Sequence, residues 1–344
     1  AYDGLLLKSL TWSGAVSGTV SFGHDASFRV TSETVTVGAN TSSVAFGLDN
    51  DDLLICASPS TCSPAGTDAL KITLNAGNGL VTGSTHGLVT DTLTYNAFGE
   101  LASYAGKVGV TGVFSEVVAT TAVPRDALGR IVQRVETNGG ASTTWRYAYD
   151  LRGRLIDVQK DGSLFEHYDY DGNGNRTLLT TPSGTTVGVY DAQDRLLSYG
   201  STSYTYTANG ELRTKTDAGG TTTYTHDVRG NLVQVDLPSG DVIQYLVDGQ
   251  DRRVGKKKNG VLEKAWLYRN QLNPAAELDG SGNLVGRFVY GSKSNVPEYV
   301  VRGGVTYRVL SDHLGSPRAL VDVAPGTVAW RADFDAWGNR TLIA

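Results

Sequence analysis

Two aspartates, Asp333 and Asp335, sit two residues apart near the C-terminus. On an extended strand such a pair shares one face, with carboxylates about 6–7 Å apart, a separation at which paired carboxylates do acid–base work on glycosidic bonds. Asp335, however, opens a four-residue turn that the chain repeats many times, and the turn accounts for it. Asp171-Gly-Asn173-Gly-Asn175 resembles the start of a calcium loop, but that loop needs Gly at position 6 and Glu at position 12. Here those positions hold Arg176 and Pro182. Asp49-Asn50-Asp51-Asp52 gathers three carboxylates that would hold a cation weakly at most. The run from Gly286 to Lys293 imitates a phosphate-binding loop with its lysine one residue late and no helix after it. Gly83-Ser-Thr85-His86-Gly87 imitates a nucleophile elbow with threonine at its centre and no α/β context. The five histidines (His24, His86, His167, His226 and His313) are scattered; three adjoin an aspartate, yet neighbours on a strand point to opposite faces. No set of nucleophile, base and orienting group can be assembled, nor any cofactor or metal set, so the chain reads as a non-enzyme.

The elements that carry these residues follow from the turn. Thirteen copies lie between residues 49 and 338; the first residue is Asp or Asn in twelve, with Thr207 the exception, and the fourth is Gly in nine. Asp150 to Gly153, Asp171 to Gly174 and Asp227 to Gly230 are examples. Aspartate at i accepts local backbone hydrogen bonds and glycine at i+3 tolerates φ > 0, the preferences of a type I β-turn. A turn recurring every roughly 20–30 residues marks a repeat architecture. Between turns, Trp145, Tyr147 and Tyr149 fall at alternate positions, on one face of a strand that reverses through Asp150–Gly153 and returns to Asp161-Gly162. The same phrase recurs at Tyr168-Asp-Tyr170, Tyr204-Thr-Tyr206 and Tyr224-Thr-His226. In nine of the thirteen, an aliphatic residue two past the turn can meet the incoming aromatic across the hairpin. Each repeat is therefore one antiparallel hairpin. Lone hairpins are marginal in water, so consecutive ones must pair edge to edge. The fold class is all-β: consecutive antiparallel hairpins in a continuous β-strip, coiled by its right-handed twist.

Composition agrees. Forty-two glycines, nine prolines and 40% hydrophobic residues describe a turn-rich chain able to bury a core. A net charge of −5 argues against nucleic acid as a partner, and Lys256, Lys257 and Lys258 read as a solvated hairpin. No apolar stretch approaches the ~18 residues of a membrane-spanning helix. The chain holds no methionine and begins Ala1-Tyr2-Asp3-Gly4 with no signal peptide, which reads as a processed product or excised piece. Three Asn-x-Ser/Thr sequences (Asn40, Asn175, Asn339) are expected by chance in so Thr-rich a chain. Cys56 and Cys62 bracket a Pro-containing loop, and the pair reads either as a disulfide, suited to an oxidising compartment, or as free thiols. A zinc site is not expected, because no histidine lies near them.

The phrase Tyr-x-Tyr-Asp-x-x-Gly-x-Leu resembles the YD repeat of bacterial Rhs proteins, of Tc toxin shell subunits and of animal teneurins. Ser311-Asp312-His313-Leu314-Gly315-Ser316-Pro317-Arg318 is similar to the opening of the Rhs-associated core signature. Val328-Ala-Trp330-Arg331-Ala-Asp333-Phe-Asp335-Ala-Trp337-Gly338 continues it in the family's order, and Leu272 to Asp279 is also typical of bacterial members. On this resemblance the whole chain, 1–344, is one strip: a less regular start over 1–45, clear repeats over 46–290, and a core segment over 291–344. The resemblance implies a hollow shell that encloses a C-terminal effector, often a toxin, in a secreted or cell-surface bacterial protein. Its family plug, with an Asp-Pro-x-Gly-type signature linked to self-cleavage, has no counterpart here, because the chain contains no Asp-Pro pair.

Size adds a constraint. At about 16 Å² of wall per residue, 344 residues would close a sphere of roughly 15 Å inner radius, short of the about 17 Å outer radius of a small folded domain. As a container the chain is short, and its expected partners are the rest of its parent polypeptide, plug and effector, and other copies met through exposed strand edges. The alternative function is an extracellular adhesion or carbohydrate-binding module that stacks sugars on exposed tyrosines.

Overall fold

In a computed structural model, residues 1–62, 68–120 and 125–342 are described, and they form thirty-three strands with no helix among them. Wherever named strands pair among these residues, the partner is the next strand in sequence and the ladder is antiparallel. The protein is all-β and is built from consecutive hairpins.

One side chain builds each turn. At Asp150 the backbone closes the loop, with Gly153 N–H donating to Asp150 O (3.0 Å) and Asp150 N–H to Arg154 O (2.9 Å). Asp150 Oδ1 accepts the N–H groups of Arg152 and Arg154, both at 2.9 Å, and Oδ2 accepts Arg154 Nε at 2.7 Å. Asp171 and Asp227 make the same set with Asn175 and Asn231 in place of the arginine. Gly153 holds φ at 83°, in the left-handed region that glycine enters without steric cost. The extra residue appears as a register shift: Ala148 faces Asp157, but Tyr149 faces Leu155. This is a type I turn followed by a bulge, a combination that matches the twist of the strands it joins.

The structure also holds copies that the Asp-x-x-Gly pattern hides. Asp25 makes the full set of bonds to Ser27 and Arg29 with Phe28, at φ 66°, where glycine would stand. At Asn75 the turn is one residue longer, so that Gly79 rather than Asn78 enters the left-handed region. Three copies place aspartate at the fourth position of the turn and in that region: Asp52, Asp194 and Asp251, at φ 65°, 61° and 61°. Each is bonded to the turn one repeat earlier. Asp194 accepts Asn173 and Asn175 (2.8 and 2.7 Å), Asp251 accepts Arg229 and Asn231, and Asp52 accepts Arg29 (2.8 Å). The backbone cost of a non-glycine there is offset by a bond between adjacent turns.

Tyrosine ties one repeat to the next. Tyr170 OH donates to Leu155 O (2.7 Å), and the Arg154 guanidinium lies 4.7 Å from the Tyr170 ring centre. Tyr206 does the same to Leu196 O (2.8 Å) beneath Arg195, and Tyr190 to Arg176 O (3.1 Å). Each of these tyrosines precedes a turn and reaches the carbonyl just past the previous one. The arginine that the turn aspartate holds is thereby also a platform for the next aromatic.

The chain divides into two compact units, Thr144–Ala265 and the combination of Ala1–Thr143 with Trp266–Ala344. The first is a hairpin series with a small core of Trp145, Val158 and Tyr168. In the second, N-terminal and C-terminal strands share cores: Val89, Tyr104 and Phe114 pack with Leu310, Ala319 and Val321, and Val44, Ala57, Leu70 and Ile72 with Val289 and Tyr299. A Cβ on Gly87 would lie 2.2 Å from Val323 O, so that glycine is what lets the hairpin tip approach the opposing backbone.

The turn carboxylates predict an acid dependence. Backbone and side-chain hydrogen bonds from the i+4 residue hold Asp25, Asp126, Asp150, Asp171, Asp191, Asp227 and Asp279 below the ordinary aspartate range. Their stabilisation is complete well above the unfolded value of about 3.9 and is lost as pH falls through the lower folded values. Denaturant titrations at pH 5, 4 and 3 are expected to show stability falling at each step, because the unfolded carboxylates begin to take up protons near pH 5. Asp150→Asn, which keeps the Oδ1 bonds but cannot titrate, is expected to flatten that fall; an unchanged acid slope in several such variants would contradict the assignment.

Candidate functional site: a buried arginine seam

The residues of the Asp312–Arg318 motif are gathered in one place in the larger unit. Asp312 opens a turn, its Oδ1 accepting Leu314 and Ser316 N–H (3.1 and 2.9 Å), with Gly315 at φ 89° and Leu314 exposed at the tip. Pro317 begins the strand Pro317–Asp322 and delivers Arg318 to a position with no exposed surface. There Arg318 meets Glu136 (3.0 Å), Asp312 (3.5 Å) and Asp333, with its guanidinium 5.0 Å from the Phe114 ring centre. His313 Nδ1 lies 2.9 Å from Glu116 Oε2. The two aspartates spaced like a glycosidase pair have separate structural tasks. Asp333 serves Arg318 and Asn138, while Asp335 holds the last turn, accepting Trp337 and Asn339 N–H with Gly338 at φ 83°.

Arg318 is one of three such residues. Arg287 binds Glu33 (2.7 Å), which also takes Arg269 (2.8 Å). Arg308 binds Asp91 and Glu298, both at 2.8 Å, and Ser84 Oγ at 3.0 Å. In every case an arginine from a C-terminal strand meets a carboxylate from an N-terminal strand, across sequence separations of 254, 217 and 182 residues. All three arginines and their distant carboxylates are buried. Burial disfavours charge on Arg308 and Glu298, but the opposite charge beside each prevails: Arg308 is pushed up chiefly by Glu298 and Asp91, and Glu298 is held down by Arg308 and Lys293.

None of Glu33, Asp91, Glu136, Arg287 or Arg308 stands out by motif. Their signal lies in parity. Glu33 shares its strand face with Val35 and Val37, which are buried, and Arg134, Glu136 and Asn138 alternate in the same way. A charged residue in the inward phase of a strand needs a partner from another layer, and sequence does not say which. Cys56, in the strand Leu54–Ser58, and Cys62, six residues further on, are joined as a disulfide with Cα atoms 5.8 Å apart. Among the described residues no group of three or more His, Cys, Asp or Glu side chains could hold a metal ion.

Turn-locked hairpins, tied by tyrosines and clamped across layers by buried arginines, define a wall: a shell-type structural module. Residues 1–342 match the family model Teneurin YD-shell, and the chain belongs to that family. It is similar to Teneurin-3 of Danio rerio, at 25% identity over 236 residues (66% of this chain, 8% of that protein). It is also similar to the tRNA3(Ser)-specific nuclease WapA of Bacillus spizizenii, at 29% over 200 residues (56% of this chain, 8% of that protein). The chain thus corresponds to under a tenth of the length of either relative. Among solved structures, the crystal structure of TcdB2-TccC3-Cdc42 aligns with a TM-score of 0.48 and 12% identity, over 95% of this chain and 24% of that one.

Removing one partner from a buried ion pair strands the other charge, at a cost of about 3–5 kcal/mol. Arg318→Met is therefore expected to destabilise the larger unit by about that amount in denaturant unfolding, with Arg318→Lys intermediate because it keeps the charge but not the fork. Lys257→Ala, in the half-buried lysine run of the strand Arg253–Lys258, is expected to stay within about 0.5 kcal/mol of wild type. A loss under ~1 kcal/mol for Arg318→Met would show that the seam does not clamp the layers.

Proposed function

We propose that this chain is a segment of a shell wall that sequesters a polypeptide effector belonging to the same parent protein. The observation that carries this reading is the seam, in which strands more than 180 residues apart are bonded through fully buried charge pairs. A strip that served only as an extended spacer has no use for such costly long-range clamps, whereas a wall that must resist an enclosed chain does. Family membership supports the shell, and the disulfide supports an oxidising, extracytoplasmic destination. The wall acts on its cargo by excluding other molecules from it, with no bond made or broken.

The test is protease protection in the parent polypeptide. Under native conditions the wall segment and a segment beyond residue 344 are expected to resist a broad-specificity protease together. The distal segment is expected to become cleavable at the denaturant concentration that unfolds the wall. Cleavage of the distal segment at the rate of the same segment expressed alone, or a parent with no further folded segment, would overturn encapsulation. Binding of the isolated chain to an immobilised glycan, abolished by free sugar, would favour adhesion instead.

A further inference from the structure

The seam borders a cavity of about 400 Å³ lined by Asp91, Tyr104, Glu116, Glu298, Arg308 and residues 292–296. Two of its side chains have no part in clamping the layers. Lys293 Nζ donates a hydrogen bond to Ser311 Oγ and stands 5.7 Å from the Tyr104 ring centre. Ser311 ends the strand Val305–Ser311, immediately before the Asp312 turn, and is buried. The loop that carries Lys293 is anchored one residue earlier, where Ser292 donates both its N–H and its hydroxyl to Glu298 Oε1. Glu298 is in turn fixed by Arg308. The lysine is thus aimed at the serine by a chain of held groups.

We propose that Ser311 is a nucleophile and Lys293 its general base, forming an acyl-transfer site for an ester or amide carbonyl in this cavity. Neutral Lys293 Nζ takes the Ser311 hydroxyl proton as Oγ bonds to the carbonyl carbon and the π pair moves to oxygen. Collapse expels the alcohol or amine, which leaves with the proton from Lys293, and Ser311 holds the acyl group. Water then attacks the acyl-serine, giving its proton to Lys293; release of the acid returns that proton to Ser311 Oγ. The electrostatics shift Lys293 in the direction a general base requires. Burial depresses the Lys293 pKa and Arg308 adds to this, against the opposing pull of Glu298, Asp91 and Glu116, and burial prevails. This is an activity beyond the wall function and independent of whether the wall encloses anything.

A hydrogen bond between a buried lysine and a serine also has a purely structural reading, in which the hydroxyl only satisfies the ammonium. A fluorophosphonate probe, which traps an activated serine oxygen with loss of fluoride, separates the two. The intact chain is expected to form an adduct mapped by peptide mass spectrometry to Ser311, absent in Ser311→Ala, with a rate that rises with pH. Lys293→Arg keeps the charge and the bond to Ser311 but cannot act as a base near neutral pH. Confirmed as folded by its melting curve, it is expected to label at least ~100-fold more slowly. No adduct at Ser311 in the wild-type chain, or wild-type labelling in Lys293→Arg, would overturn the proposal.

Discussion

Everything in this wall depends on one carboxylate oxygen that accepts two backbone N–H groups. Asp150 Oδ1 holds the amides of Arg152 and Arg154, which fixes the turn; the turn fixes where the bulge falls, and the bulge fixes which residues face each other across the hairpin. A sheet with partly polar faces is prone to register slips, since moving one residue exchanges its faces. Here a slip would break the turn bonds, the Arg154–Tyr170 contact and the Tyr170–Leu155 bond together. Register is therefore specified locally, repeat by repeat, in a chain too long for a single core to specify it.

The two units apply that device in different surroundings. Residues Thr144–Ala265 rely mainly on bonds between neighbouring turns and hairpins, including the Asp194 and Asp251 staples. The larger unit adds layers, and with them the arginine seam. Buried ion pairs are weak sources of net stability, because desolvation cancels much of the attraction. Their effect is on correctness. Each seam arginine has a carboxylate of its own, so a shifted docking of the layers would leave several charges buried without partners. Hydrophobic contacts such as Leu310 on Phe114 supply attraction without that discrimination.

Local physics was legible in the sequence and long-range physics was not. The Asp-x-x-Gly turns and the alternating aromatics around Trp145 specify hairpins because each signal lies within a few residues of its effect. Asp25 escaped because Phe28 replaces the glycine that marks the pattern, although the carboxylate makes every bond the others make. Asp333 drew attention through its spacing to Asp335, yet its partner is Arg318, which spacing cannot reveal. Glu33 and Arg287, 254 residues apart, could be suspected only as charges in the inward phase of their strands. Lys293 entered as a misplaced phosphate-loop lysine and Ser311 as the first residue of a motif; only the folded chain sets one against the other.

The central claim is that each turn carboxylate governs its own hairpin and its nearest neighbours. Native-state hydrogen exchange on Asp191→Ala tests it most directly. The amides of Gly184–Tyr190 and Leu196–Tyr199 should exchange at least about tenfold faster than in wild type, while those of Val242–Val247 and Arg253–Lys258 keep their protection. Uniform acceleration across the whole of Thr144–Ala265, or no acceleration beside the altered turn, would contradict it.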